Sequence, residues 1–242
     1  MGERKTVDFA GIKVDNVMLA EAAEIVRQFI AGGKPRLIVT PNPEMIVAAQ
    51  DDAELKEIIN GADLRVADGI SLVVVSRILG RPLKERVSGI DLMLELMKIG
   101  SDYNYRVFLL GGAPGIAAEA GAKLKEKFPG IQVVGAQNGY FQSGEDSGII
   151  KKIREARPDL FFVGLGAGRQ EKWLSRHLYE SGATVGMTIG GSFDVISGRK
   201  QRAPGWVQAL YIEWLYRLFM EPQRWKRQLA LPKFLWLMLG PK

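Results

Sequence analysis

The feature of the sequence that most restricts its fold is a cadence that recurs along the first 198 residues. A short apolar run is followed by a turn of small or polar residues and then by an amphipathic segment, as where RLIVT (36–40) leads into PNPEMIVAAQDDAELKEII (41–59). The same cadence recurs at YRVFLL (105–110), DLFFVGLG (159–166) and TVGMTIG (184–190). Strands that alternate with amphipathic helices predict a mainly parallel sheet flanked by helices. We therefore expect residues 1–198 to form an α/β, Rossmann-like core.

The last 44 residues differ in composition from the rest of the chain. The 242 residues have a net charge of +6, and residues 199–242 alone hold nine Lys or Arg against two Glu, with four of the five tryptophans. WVQALYIEWLYRLFM (206–220) predicts a helix with a broad apolar face. KFLWLML (233–239) is long enough to dip into a membrane interface and too short to cross it. Composition alone leaves two uses of this C-terminal appendage open, membrane contact and packing on the core.

Composition also excludes several kinds of site. The chain has no cysteine and a single histidine, so disulfides and thiolate ligands are excluded and a transition-metal site is not expected. It lacks the Asp-x-Asp spacing with which many enzymes hold a divalent ion on a diphosphate. The first 16 residues have no apolar run typical of a signal peptide, and no run approaches the ~20 apolar residues of a membrane-spanning helix. We expect a cytoplasmic protein without a metal or cofactor.

Polar residues at the ends of the predicted strands are candidates for a ligand site, because open α/β sheets bind ligands beyond the carboxyl ends of their strands. Asp68 follows the short run DLRVA and precedes a glycine, where a carboxylate can face a cleft and act as a general base. By spacing alone, Asp-Gly is more typical of a turn in which the aspartate bonds nearby backbone. The other candidates at strand ends are Thr40, Asn42, Gly112, Tyr140, Gln170, Glu171 and Asp194.

Three segments that contain or adjoin these candidate residues are open to more than one interpretation. GGAPG (111–115) is equally typical of an anion-binding loop and of a tight turn between a strand and a helix. GLGAG (164–168) is similar to the dinucleotide fingerprint, but Arg169 stands where the third glycine belongs, which argues against an oxidoreductase. Thr40 and Asn42 in TPNPE suit hydrogen bonds to a sugar and suit capping of the following helix equally well.

Several short segments, taken in order, carry a resemblance to a known family. They are TPNPE, ADG, RVSGIDL, FLLGG, NGYF, GLGAGRQEKW, GGSFDVISGRKQRAP and EWLYRLFMEPQRWKRQLALPKF. In this order they resemble the WecG/TagA/CpsF family of bacterial glycosyltransferases, over nearly the whole chain. One departure is Gly168, where many relatives have proline.

The resemblance implies an activity. The most similar members transfer N-acetylmannosamine from its UDP-sugar to N-acetylglucosamine on undecaprenyl diphosphate, the linkage-unit step of wall teichoic acid synthesis. It implies an inverting, metal-independent transfer at the inner face of the cell membrane, by a peripherally attached protein with no nucleic-acid partner. A relative that uses another donor, such as UDP-N-acetylmannosaminuronic acid, is the alternative. A second alternative is a non-enzymatic module that binds membranes or nucleic acids. The sequence leaves the oligomeric state open, and a homo-oligomer is possible.

The resemblance also implies roles for particular residues. Asp68 would be the base that deprotonates the acceptor hydroxyl, with Thr40 and Gln170 beside the reacting sugar. The appendage would close over the site as a lid, and its arginines would hold the diphosphate. The residues expected to bind substrate are Asn42, Arg86, Gly112, Tyr140, Glu171, Asp194, Arg217, Arg224 and Arg227.

Overall fold

The structure is a computed structural model that describes residues 4–142, 144–205, 207, 213–220, 225 and 229–240, with the backbone alone at 214 and 217. The strands are β1 (Thr6–Phe9), β2 (Ile12–Asp15), β3 (Arg36–Val39), β4 (Leu64–Arg65), β5 (Arg106–Gly111), β6 (Gln132–Gln137), β7 (Leu160–Gly164) and β8 (Val185–Thr188). The helices are α1 (Leu19–Gly32), α2 (Pro43–Asp51), α3 (Ala53–Gly61), α4 (Ile70–Ile78), α5 (Gly89–Tyr103), α6 (Ile116–Lys127), α7 (Asp146–Ala156), α8 (Arg169–Ser181), α9 (Ser192–Ile196), α10 (Glu213–Met220) and α11 (Ala230–Leu239).

Six strands form one parallel sheet in the order β4-β3-β8-β7-β5-β6. Helices cover both of its faces, so each central strand buries side chains in two directions. In β7, Phe161 and Val163 enter the core on one face, while Leu160 and Phe162 enter the core on the other. Burial on both faces explains why this strand is a continuous apolar run in the sequence. The predicted α/β, Rossmann-like fold is confirmed.

The first glycine of GGAPG is required by a close approach of two strands. Gly111 has φ 144°, and a Cβ atom there would lie 2.3 Å from the carbonyl oxygen of Gly164, at the end of the neighbouring strand β7. The Gly112 N–H donates a hydrogen bond of 3.2 Å to the same carbonyl. The close approach of β5 and β7 therefore accounts for Gly111, whereas Gly112 has φ 70° and a Cβ atom there would lie 2.8 Å from Ile116 Cγ2.

Three local features differ from the predicted pattern. The long helix expected after β3 is divided into α2 and α3, because the Asp52 side chain accepts a hydrogen bond of 3.0 Å from the Leu55 N–H and begins a new helix. The strand predicted at DLRVA is only two residues long. The antiparallel hairpin β1–β2, which turns at Ala10 and Gly11 with positive φ at both, was not predicted.

Part of the appendage belongs to the core. Phe234, in α11, is fully buried and its ring lies 6.1 Å from that of Phe9. Side chains on the same helix point outward, with Trp236 71% exposed. None of the helices in the described ranges combines the length and apolarity needed to cross a membrane. The division of the chain at residue 198 stays a prediction.

Candidate functional site

A cleft of about 360 Å³ opens at the carboxyl ends of β3, β4, β7 and β8. β3 and β8 are neighbours in the sheet although more than 140 residues separate them in the chain, and such crevices between distant strands are the usual ligand sites of open α/β sheets. Polar and charged side chains dominate its lining. They are Thr40, Asn42, Glu44, Asp68, Arg86, Ser88, Gln170, Ser192, Asp194, Lys200, Gln201 and Arg202.

Asp68 is held at the cleft by backbone on two sides. Its N–H donates to the Pro41 carbonyl at 2.9 Å, which ties the end of β4 to the loop after β3. Its Oδ2 atom accepts a hydrogen bond of 3.3 Å from the Gly89 N–H, in the first turn of α5. The positive end of this 15-residue helix stabilises the carboxylate form. With 30% of its side chain exposed, the carboxylate remains accessible from the cleft.

Thr40 and Asp68 approach each other across Gly89. A Cβ atom at Gly89 would lie 3.4 Å from Thr40 Cγ2 and 3.7 Å from Asp68 Oδ2, so the glycine leaves open the space between the two side chains. Thr40 is buried, and its hydroxyl donates a long hydrogen bond of 3.5 Å to the Thr188 carbonyl on β8. The structure therefore brings together two of the three residues predicted to be catalytic. Gly89 was not singled out from the sequence, and its place directly after a helix-capping serine was the available signal.

Gln170, the third of these residues, is fixed by its neighbours at the start of α8. Its Oε1 atom accepts a hydrogen bond of 3.0 Å from the Gly190 N–H, and its Nε2 atom donates to Glu171 Oε1 at 2.6 Å. Glu171 Oε2 in turn accepts from the Gly168 N–H at 2.7 Å. Since both ends of the Gln170 amide are engaged, its orientation towards the cleft is set before any ligand binds.

Glu171 is fully buried and lies outside the cleft lining. Burial raises the pKa of this carboxyl above its ordinary value, while the hydrogen bonds from Gln170 and the Gly168 backbone act in the opposite direction. The residue predicted to touch substrate thus contacts Gln170 in this structure. Its predicted substrate contact stays a prediction.

Arg86 lies between the cleft and the appendage. Its Nη2 atom donates a hydrogen bond of 2.9 Å to Glu213 Oε2, in the first turn of α10, and lies 3.9 Å from Asp68 Oδ1. The guanidinium is 18% exposed and the Glu213 carboxylate 8% exposed. The pair is therefore largely removed from water.

Two basic residues that were not singled out from the sequence also line the cleft. Lys200 and Arg202 follow α9, in the segment GRKQRAP. The Lys200 N–H donates to the Asp194 carbonyl at 2.9 Å, and Arg202 Nη2 donates to Asp91 Oδ1 on α5 at 2.6 Å. The signal in the sequence was the cluster of basic residues directly after a strand-end glycine pair and a short helix.

The remaining predicted residues lie in different places. Asn42 lines the cleft and also caps α2, since its Oδ1 accepts a hydrogen bond of 3.0 Å from the Met45 N–H. Gly112 and the 76%-exposed Tyr140 are not part of the cleft lining. Of the predicted arginines, Arg224 and Arg227 lie outside the described residues, as does the side chain of Arg217. Within the described ranges, no three His, Asp or Glu side chains come together as metal ligands.

The fold and the cleft are typical of α/β enzymes that bind their substrates at the carboxyl ends of parallel strands. The profile of the family described as Glycosyl transferase WecG/TagA/CpsF matches residues 7–242. The chain belongs to this family of glycosyltransferases.

Several curated relatives are similar over most of their length. The protein from Bacillus spizizenii is 35% identical over 223 residues, which is 91% of this chain and 85% of the relative. The Bacillus subtilis protein is 36% identical over 82% of this chain and 77% of its own, and the Staphylococcus aureus protein is 36% identical over 95% and 91%. All three are named N-acetylglucosaminyldiphosphoundecaprenol N-acetyl-beta-D-mannosaminyltransferase.

Proposed function

We propose that this protein transfers N-acetylmannosamine from UDP-N-acetylmannosamine to N-acetylglucosamine on undecaprenyl diphosphate, the linkage-unit step of wall teichoic acid synthesis. The names of the relatives support this acceptor and this sugar. The observation that carries the chemistry is the carboxylate of Asp68, held at the cleft by the first turn of α5 with the Thr40 side chain beside it.

The reaction needs one base and no covalent intermediate. Asp68 takes the proton from the acceptor hydroxyl, and the freed oxygen attacks the anomeric carbon of the donor sugar on the face opposite its diphosphate. As this bond forms, the bond between the anomeric carbon and the diphosphate oxygen breaks. Its electron pair leaves with UDP, and the configuration at the sugar inverts. Thr40 and Gln170, which line the same cleft, hydrogen-bond the sugar hydroxyls in this proposal.

The negative charge that develops on the diphosphate requires cations or hydrogen-bond donors. Arg86, Lys200 and Arg202 line the cleft and can supply this charge without a metal ion. Arg217, Arg224 and Arg227 of the appendage are proposed to complete this set as the appendage closes over the donor. The proposed role of the appendage as a lid depends on this contribution.

The acceptor's polyprenyl chain stays in the bilayer, so the enzyme must work at the membrane surface. The appendage suits such a surface, since it holds basic residues beyond those assigned to the diphosphate, such as Lys226, Lys233 and Lys242, together with exposed apolar side chains on α10 and α11. Each Lys or Arg near an anionic surface contributes about 1 kcal/mol, and the inserted apolar side chains add to this. We propose peripheral attachment at the inner face of the cell membrane.

A transfer assay with purified protein tests the proposal. The protein is mixed with UDP-N-acetylmannosamine and N-acetylglucosamine diphosphate on a short polyprenyl chain, with and without EDTA, and products are identified by mass spectrometry. We expect transfer that EDTA leaves unchanged, and a fall in kcat of about 100-fold or more in Asp68→Asn. Asp102→Asn, on the exposed end of α5, is the matched control. Transfer from UDP-N-acetylmannosaminuronic acid but not from UDP-N-acetylmannosamine would refute the proposed donor. Full activity of Asp68→Asn would refute the proposed role of Asp68 as the base.

A further inference from the structure

We propose that Glu213, the first residue of α10, is a positioning residue that engages Arg86 and so keeps Asp68 a strong base when the appendage is docked. This inference rests on the proposed function and names a residue beyond the base and the arginines already assigned to it. It follows from one guanidinium nitrogen that lies near two carboxylates. Arg86 Nη2 is 2.9 Å from Glu213 Oε2 and 3.9 Å from Asp68 Oδ1.

The two distances correspond to two different interactions. At 2.9 Å, Arg86 and Glu213 form a charge-assisted hydrogen bond, whereas 3.9 Å to Asp68 allows electrostatic attraction without a direct hydrogen bond. Glu213 therefore holds the guanidinium away from full engagement with the base. Its carboxylate also offsets the positive charge that Asp68 faces.

Burial strengthens the electrostatic effect of Glu213 and Arg86 on Asp68. Glu213 and Arg86 have side chains only 8% and 18% exposed, so their charges are screened by water much less than those of a surface pair. Loss of Glu213 would leave Arg86 with an uncompensated charge beside Asp68. The arginine would then stabilise the carboxylate of Asp68 and occupy one of its oxygens, and a carboxylate so stabilised accepts a proton less readily.

Among the described residues, other charged side chains line the same cleft as Asp68 and remain constant in this comparison. They come from α2, from α9 and from the loop after it, and they are Glu44, Asp194, Lys200 and Arg202. Glu213 differs from them because it lies on α10, in the helical part of the appendage. The strength of the base is thereby coupled to docking of the segment that is proposed to meet the membrane.

The pH dependence of transfer tests the inference. In Glu213→Gln we expect the acid limb of the kcat profile to move to lower pH by about one unit, because the unpaired Arg86 favours ionised Asp68. We expect kcat on the plateau to fall several-fold, with a smaller change in the KM for the UDP-sugar. Glu213→Asp, which retains the charge on a shorter side chain, should restore most of the plateau. Glu155→Gln removes the same charge from an exposed position on α7 and should leave the profile unchanged.

The outcomes separate this inference from the proposed function. Absence of transfer by the unmodified protein refutes the function and this inference with it. Transfer by the unmodified protein, with the acid limb of Glu213→Gln unmoved, overturns the inference alone. A structural role, in which Glu213 merely anchors the appendage, would raise the KM for the lipid acceptor and leave the acid limb in place. Should Glu213→Gln fail to fold, Glu213→Ala removes the same charge in its place, and an acid limb of that variant at the same pH as in the unmodified protein overturns the inference.

Discussion

A carboxyl group beside a candidate active-site cleft can act through its neighbour, and Glu171 is an example at the scale of single residues. Its two oxygens accept hydrogen bonds from Gln170 Nε2 and from the Gly168 N–H, so it orients the Gln170 amide and begins α8 at the same time. The cost of this arrangement is a carboxylate without contact to water. Burial accordingly raises its pKa.

The raised pKa predicts a pH dependence of stability. A folded-state pKa above the unfolded value of 4.5 means that the folded protein holds the proton more tightly. The stabilisation from this group is thus complete below pH 4.5 and is lost as pH rises through the folded-state pKa, by about 1.4 kcal/mol for each unit of difference. Glu171→Gln should remove this loss. Urea unfolding of both proteins from pH 4 to 8 measures it as a difference that grows with pH in favour of the variant.

The prediction is tested by how the difference in unfolding free energy between the two proteins changes with pH, and not by the size of that difference at one pH. Gln presents one acceptor where Glu presents two, so the variant carries a constant loss from a hydrogen bond that it cannot make. Glu155→Gln, exposed on α7, should show no such slope. A flat difference between Glu171→Gln and the unmodified protein over this range would contradict the assignment.

At the scale of helices and strands, the sequence predicts best those elements whose own residues carry a clear pattern. Strand β7 is apolar on both faces and bounded by turn residues, and the prediction of a strand of a parallel sheet at this position is confirmed. The break at Asp52 was missed because no Pro or Gly marks it, and the hairpin was missed because its turn begins with Ala10. β4 has only two residues, too few for any periodicity.

The sequence predicts the cleft only in part, for the same reason. Strand ends pointed to Thr40, Asp68 and Gln170, which the structure places along one cleft, since parallel strands end at a common edge. The open space beside Gly89 and the pairing of Arg86 with Glu213 depend on segments far apart in the chain. No local pattern carries that information.

The helix break makes a prediction at this scale. Asp52 caps α3 through its bond with the Leu55 N–H and also pairs with Lys172 at 2.7 Å. Asp52→Ala removes both interactions and should lower the free energy of unfolding by about 1 kcal/mol, or the melting temperature by about 2–4 °C. Asp52→Asn keeps a good cap and loses only the half-exposed ion pair, so it should cost much less. Equal losses in the two variants would show that the ion pair, and not the cap, matters.

At the scale of the whole molecule, α10 and α11 of the appendage both contact the core and both expose apolar side chains. Phe234 anchors α11 against Phe9, and Glu213 connects α10 to Arg86 at the cleft. Trp236 and Leu239 lie on α11 with 71% and 44% of their surface exposed. Because Phe234 is part of the core, deletion of the whole appendage would disturb folding, and substitution of the exposed side chains tests membrane contact more cleanly.

The double variant Trp236→Ser, Leu239→Ser should weaken binding to membranes while the fold is retained. Transfer of these two side chains from a bilayer interface to water costs on the order of 1–2 kcal/mol, so partition to vesicles with anionic lipid should fall about tenfold. Sedimentation with phosphatidylglycerol vesicles measures this, and thermal unfolding checks the fold. Tyr179→Ser, 85% exposed on α8, is the control and should bind as the unmodified protein does. Unchanged binding by the double variant, or an equal loss in Tyr179→Ser, would contradict contact through α11, because the apolar surface of that helix would then contribute nothing specific to attachment.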